Sequence, residues 1–351
     1  ISNEEHIMGF IRFACAAIAA LAIGLTGARA QSVIDINVGA ATASDHAPAF
    51  AALEKGFFAK HGLNVKIIMY PTGVEMINGL LGGQQAVNVM GSIPFLAGIA
   101  NGLPLVLIGH LHGDATKDSY STGHSLVVGP GTGIKSIADL KGKKIGLPRG
   151  TGAEGYLTGL LQANKLTPAD VTMVNIKPAD LPTALAQKDV AAIAVWEPWP
   201  SPAIVKVPGS LRLASGGCPS CYIPAAFLTS KQVVEKNPEA LRRFMAAISE
   251  SEQWVRQNPD AAAEINMHWI TGIDLAVMKE AMRQASFDPR MSKNTVAGYK
   301  ARTIPSLVAG GGLKSAVDPT PFVDAQFILA AQKANPNYFS DLPPIPANDQ
   351  L

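Results

Sequence analysis

The chain has 351 residues, 48% of them hydrophobic and only 16% charged, with 33 glycines and 25 prolines. That is enough to bury a sizeable core, and the length suggests two domains more readily than one. The net charge is +2 with no basic run longer than two residues, as at Lys143-Lys144, which argues against the clustered basic face of a nucleic-acid binder.

From Met8 the segment MGFIRFACAAIAALAIGLTGARAQS carries one early basic residue, Arg12. An apolar run over 13–25 follows, then Ala28-Arg29-Ala30 before Gln31. A short charged start, a short apolar core and an A-x-A ending read as a secretory signal peptide cleaved after Ala30. The apolar run is short for a membrane span. Residues 1–7, ISNEEHI, read as an upstream extension, because acidic residues do not suit a signal start. Cys15 lies at the start of the apolar run and not after it, which argues against a lipid-modified cysteine at the cleavage point. The expected product is exported, with Cys218 and Cys221 as its two cysteines.

VIDINVGAA (33–41) predicts a first strand, HAPAFAALEKGFFAKHG a helical stretch stopped by Gly62, and NVKIIMY a second strand. GVEMINGLLGG is helical, AVNVMG a strand, SIPFLAGIANG helical and PLVLIGHL a strand. Strands and helices alternating at this spacing predict right-handed β-α-β units and a mostly parallel sheet. HGDATKDSYSTGHS (112–125) is polar and aperiodic, as expected of a crossing between lobes. A second series follows: strands LVVGPG and KKIGLP, helix EGYLTGLLQANK, strand VTMVNI, helix LPTALAQK and strand VAAIAVW. Residues 209–224, GSLRLASGGCPSCYIP, then read as an irregular return crossing.

The last third predicts helices. Asn237-Pro238 and Asn258-Pro259 each place a capping Asn before Pro at the first helical position. Leu241, Phe244, Met245, Ile248 and Val255 fall on one helical face. The expected organisation is two α/β lobes joined by two crossings: a first lobe from 31–122, a second from 123–215, and 216–351 returning to the first lobe with C-terminal helices.

Inside KKIGLPRGTGAEGYL, Gly150, Gly152 and Gly155 spell G-x-G-x-x-G. A dinucleotide site would also want an acidic residue at the end of the next strand, where Lys177 stands instead. The same loop suits another ligand. Backbone N–H groups of Gly152 and Ala153 at a helix start favour an anion, Thr151 adds a hydroxyl and Arg149 a bidentate charge. No cofactor is expected.

IADLKGKKIGLPRGT, LEKGFFAKHGLNVKI (53–67) and the pair NPEAL and NPDAAAEI (237–265) together resemble the solute-binding proteins of ABC importers in the sulfonate, taurine and nitrate group. That group also includes binders of hydroxymethylpyrimidine precursors. The resemblance spans nearly the whole exported chain. It implies a bilobal periplasmic-binding-protein fold of type II, closing on a small-molecule ligand in the cleft. It also implies delivery to a membrane permease with no chemistry on the ligand, in the periplasm, and we expect a monomer.

Ligands in open α/β sheets sit beyond the carboxyl ends of strands. That rule selects Asp45 and His46 after the first strand, Ser92 after the third, and the 149–153 loop; Ser44 or Asp45 and Ser92 serve equally well as helix caps. It also selects the VWEPWP phrase after a buried strand, where the resemblance places Trp196 and Glu197 at the cleft, with Trp196 stacking on a flat ligand or simply packing in the core. Arg149 and Glu197 facing one cleft would suit a zwitterion or polar heterocycle.

Cys218 and Cys221 lie in a loop and are expected to form one disulfide in an oxidising compartment. A metal site would need two more ligands, which His110 and His112 could supply if the crossings touch. No G-x-S-x-G elbow or H-E-x-x-H motif names a catalytic group. Two rivals to a transport role remain, a pyrimidine-synthase-like enzyme on the same fold and a sensor with no permease.

Overall fold

Apolar alternation in the first third folds into four strands with helices between them: β1 (Ile34–Ala41), α1 (Ala47–Glu54), α2 (Phe57–Lys60), β2 (Leu63–Tyr70), α3 (Gly73–Leu81), β3 (Val87–Gly91), α4 (Ser92–Ala100) and β4 (Leu105–His112). The computed structural model describes residues 32–120 and 123–351. The expected signal peptide and its cleavage point lie outside the described residues. The chain divides into Ile1–Val33 and Ile34–Leu351, and the second unit holds both sheets. Among the described residues no helix is long and apolar enough to cross a membrane.

After the crossing at 113–123 come β5 (His124–Val128), β6 (Lys144–Leu147), α5 (Gly152–Ala163), β7 (Thr172–Asn175), α6 (Leu181–Ala186), β8 (Ala192–Trp196), α7 (Pro200–Lys206) and β9 (Leu211–Ser215). The return at 216–224 leads to β10 (Ala225–Ser230), α8 (Lys231–Lys236), α9 (Pro238–Gln257), α10 (Pro259–Trp269), α11 (Leu275–Met282), α12 (Lys293–Gly298), α13 (Ile304–Ala309) and α14 (Gln326–Ala334).

The two sheets share one plan, β2-β1-β3-β10-β4 and β7-β6-β8-β5-β9. In each, the second strand of that order, β1 or β6, pairs in parallel with its two neighbours. The strand entering from the other lobe, β10 or β5, inserts antiparallel between the third strand and the edge. The expected parallel sheet is therefore a mixed one, because each crossing delivers the chain from the opposite direction. Every residue of β4 and β10 is buried, as happens where helices cover both faces. The outer edge of β4 is covered at Leu107 by a bridge to Val323 and by Asp324 N–H donating to Leu107 O at 2.8 Å, which interrupts its ladder.

Two local expectations are corrected. Leu211–Ser215, read as part of an irregular crossing, is the edge strand β9 paired with β5. A short strand with one covered face carries too weak an apolar pattern to stand out. Neither Asn237 nor Asn258 caps a helix through its side chain. Each sits directly behind a preceding helix, and the Asn258 amide donates backwards to Trp254 O at 2.9 Å instead.

The face of α9 read from periodicity is buried at Leu241, Phe244, Met245, Ile248 and Val255. Phe244 stacks on Phe58 with ring centres 5.6 Å apart and meets Phe227 edge-on at 5.4 Å. One helix thus joins α2 to β10. The C-terminal stretch also reaches the second sheet's helices: Ser306 on α13 donates to Gln162 Oε1 at 2.7 Å and accepts through its carbonyl from Gln162 Nε2 at 3.1 Å. Phe244→Ala is expected to cost about 3–5 kcal/mol, measured as a lower urea midpoint at unchanged slope. A loss under about 1 kcal/mol would mean that this aromatic cluster does not anchor the first lobe.

Candidate functional site

The carboxyl ends of β1, β3, β4 and β8 and the starts of β5 and β10 converge on one cavity of ≈ 50 Å³. This is several times the roughly 10–15 Å³ that admits one water. Asp45, His46, Ser92 and His112 line it from the first lobe, with Met76 and Met90 as its apolar wall. His124, Thr151, Gly152 and Trp196 line it from the second, and Ile223 and Ala225 from the return crossing. Six residues singled out from sequence therefore meet here: Asp45, His46, Ser92, Thr151, Gly152 and Trp196. Arg149, Ala153 and Glu197 are not among the residues lining this cavity.

Asp45 is the cavity's acid. Its Oδ2 lies 2.7 Å from His112 Nε2. His112 Nδ1 lies 3.0 Å from Tyr120 Oη, which also accepts from Ser286 N–H at 3.2 Å. Burial alone would raise the Asp45 pKa, but the charge and hydrogen bond of His112, with smaller contributions from His46 and His124, bring it down to about 2. The carboxylate stays ionised across the physiological range. Its other oxygen, Oδ1, is sealed from solvent and has no hydrogen-bond partner.

His46 is oriented by the end of β1. Ala41 N–H donates to its Nδ1 at 3.0 Å, so in the neutral ring the proton sits on Nε2. Burial lowers its pKa, with Asp45 opposing, so the neutral form prevails. Gly152 is required by the histidine opposite: a Cβ there would lie 2.7 Å from His124 Nε2.

The glycine-rich loop does not present the anion site expected of it. Thr151 Oγ1 donates to Pro148 O at 2.7 Å and accepts from Ala153 N–H at 3.3 Å, capping its own helix. Gly150 N–H donates to Glu154 Oε2 at 2.6 Å. The Arg149 guanidinium pairs with the same carboxylate at 2.8 Å, with its side chain 47% exposed. Glu154, four positions along from Gly150, thus takes one backbone donor of the loop together with the Arg149 charge.

VWEPWP works as a bridge between lobes. Trp199 Nε1 donates to Thr42 O at 2.8 Å and Trp196 Nε1 to the same oxygen at 3.4 Å. Ser44 N–H donates to Glu197 O at 3.1 Å. The Glu197 carboxylate turns inward, with its Oε1 2.6 Å from Arg212 Nη1 and its Oε2 accepting from Ser201 Oγ at 3.0 Å. It lines a smaller cavity of ≈ 20 Å³ that shares Asp45, His112, His124 and Trp196 with the first. Both charges of the zwitterion reading, Arg149 and Glu197, are thus paired within the protein. Arg212 went unnoticed in the sequence because its strand did. His112 was within reach of the strand-end rule, since it closes β4.

The crossings do touch, through a Tyr120–Tyr222 bridge. Cys218 and Cys221 Sγ atoms are bonded to each other at 1.96 Å, and His112 is engaged by Asp45 and Tyr120. Among the described residues no group of three or more His, Cys, Asp or Glu is placed to hold a metal ion. His110 is fully buried against the edge of Tyr222, and burial pushes its pKa down to about 4.

Three comparisons bear on this arrangement. A protein of Brucella abortus, provisionally named as a binding protein, is 28% identical over 286 residues, covering 80% of this chain and 86% of its own. A Bacillus subtilis protein provisionally named as an aliphatic sulfonates-binding protein is 25% identical over 288 residues, 81% and 84% of the two chains. Among solved structures, the alkanesulfonate-binding protein SsuA from Xanthomonas axonopodis pv. citri aligns with a TM-score of 0.72 at 21% identity, covering 84% of this chain and all of its own. The desulfurization enzyme DSZB aligns at 0.62 and 17% identity, over 86% and 99%. The fold is the bilobal α/β fold of periplasmic binding proteins. With residues 43–262 matching the family model described as NMT1/THI5 like, the chain belongs to the NMT1/THI5-like family.

Proposed function

We propose that this chain is an exported solute-binding protein, acting as a monomer, that traps a small organic molecule in the interlobe cavity and passes it unchanged to the permease of an ABC importer in the membrane. The observation that carries the reading is the cavity's position. Its walls come from two sheets joined by crossings at 113–123 and 216–224, so a hinge motion would open and shut it. The bonds from Trp199 and Ser44 across the gap describe the shut arrangement. A ligand touching both lobes favours that arrangement by its differential affinity for shut over open. The names of the relatives support a binding role, and the signal-peptide reading of 1–30 supports export to the periplasm.

Native mass spectrometry of protein purified from the periplasm, or mixed with an extract of small metabolites, is expected to show one bound species of a few hundred daltons or less. The released molecule should have the mass it had before incubation. A changed mass would move the protein to the enzymes. An unshifted protein across extracts and a broad ligand panel would overturn the binding role.

Arg149→Ala is expected to leave ligand affinity within about twofold, because its partner is Glu154 on the same helix and its exposed pair carries little energy. A loss of tenfold or more in calorimetry would restore the loop as a ligand site.

A further inference from the structure

Three glycines line the cavity, Gly73, Gly91 and Gly152. The fold accounts for two of them. A Cβ on Gly73 would lie 2.7 Å from Met90 Cε, and one on Gly152 would lie 2.7 Å from His124 Nε2. Gly91 has no such neighbour. Among the described residues, no atom beyond its chain neighbours lies within 4 Å of where its Cβ would be. Its backbone, at φ −64° and ψ 155°, is one that any residue adopts. Neither packing nor conformation calls for glycine here.

Glycine is also the weaker choice for the helix that follows. Gly91 is the N-cap of α4 and offers it no side-chain acceptor. Serine or threonine there would accept from an N–H group that the first turn leaves over. Elsewhere the chain makes that choice: Thr72, Thr151, Ser230 and Ser292 cap α3, α5, α8 and α12 through their side chains. At Gly91 a cap is forgone and the space beside the backbone is left open, as happens where function competes with stability.

The place of Gly91 in the sheet agrees. β1, β3 and β10 are consecutive in the first sheet, and they meet the cavity at Ala41, Gly91 and Ala225. Ala225 is the residue paired with Gly91 across the ladder. The wall that the sheet gives the cavity is thus built of small residues over three strands and is lowest at the middle one.

We infer, resting on the binding role proposed above, that Gly91 is a specificity-determining residue: the trapped molecule seats against its backbone at the end of β3, in the volume a side chain would take. Glycine brings no charge and no side-chain hydrogen bond, so the selection it imposes is one of size and shape, whatever the polar group of the molecule.

The test compares the exported chain with Gly91→Ser and Gly91→Ala. The probes are a small-metabolite extract, read by native mass spectrometry, and methanesulfonate, taurine, benzoate and 4-aminopyrimidine, read by calorimetry. Gly91→Ser is expected to melt at the wild-type temperature or above it, because serine can cap α4. It should nevertheless hold the wild type's tightest probe at least tenfold more weakly, with Gly91→Ala in between. Wild-type affinity in both variants would overturn the inference and leave the binding role intact. Melting several degrees lower in both variants would overturn it too, because glycine would then serve the fold. A wild-type protein that holds no probe and nothing from the extract would overturn both readings.

Discussion

Tyr120 N–H donates to Cys221 O at 3.1 Å, and Ile223 N–H donates to Tyr120 O at 2.8 Å. Through these two backbone bonds the outgoing and returning chains lie side by side, and the rest of the molecule is arranged around them. Each crossing feeds one antiparallel strand into the opposite sheet, so the carboxyl ends of both sets of parallel strands face one gap. Arg302 reinforces the pair. Its Nε donates to Asp118 O on one crossing and its Nη1 to Pro219 O on the other, each at 2.8 Å. The fixed fork of a guanidinium suits a task that needs two acceptors held at a set spacing.

The hinge and the cavity share a residue. Tyr120 pairs through its backbone with the return crossing and through its hydroxyl with His112, which holds Asp45. A ligand at Asp45 is therefore two hydrogen bonds from the hinge. The disulfide lies on the same crossing and packs against α5, where a Cβ on Gly159 would fall 2.4 Å from Cys218 Sγ. The other end of α5 is the cavity wall at Thr151 and Gly152. Cavity, helix and hinge thus form one continuous set of contacts.

Electrostatic economy explains why the cavity differs from a first reading of its motifs. The three most suggestive charges near the cleft were Arg149, Glu197 and Asp45. The first two neutralise themselves within the second lobe, one on the next helical turn and one on the edge strand β9. An exposed pair such as Arg149–Glu154 contributes little to stability. The Glu197 carboxylate is buried and would be costly without Arg212 and Ser201. What remains inside is one ionised carboxylate among histidines, methionines and an indole.

Much of this was legible in the chain itself. Strands and helices of both α/β series, the two-lobe organisation and the buried face of α9 follow from apolar periodicity, since each element must bury one side. Asp45, His46, Ser92, Thr151, Gly152 and Trp196, expected near the ends of strands, line one cavity. What tertiary structure alone decided were the partners. No local pattern states that Leu211–Ser215 pairs with β5, that Arg212 then meets Glu197, or that Glu154 turns back onto Arg149. Nor does one state that His112 and His124, which close one strand and open the next, arrive on opposite walls of a single cavity. Periodicity reports which face of an element is buried, whereas hydrogen-bond and charge partners depend on distances between segments far apart in the chain, and those distances exist only once both sheets have formed and the crossings have paired.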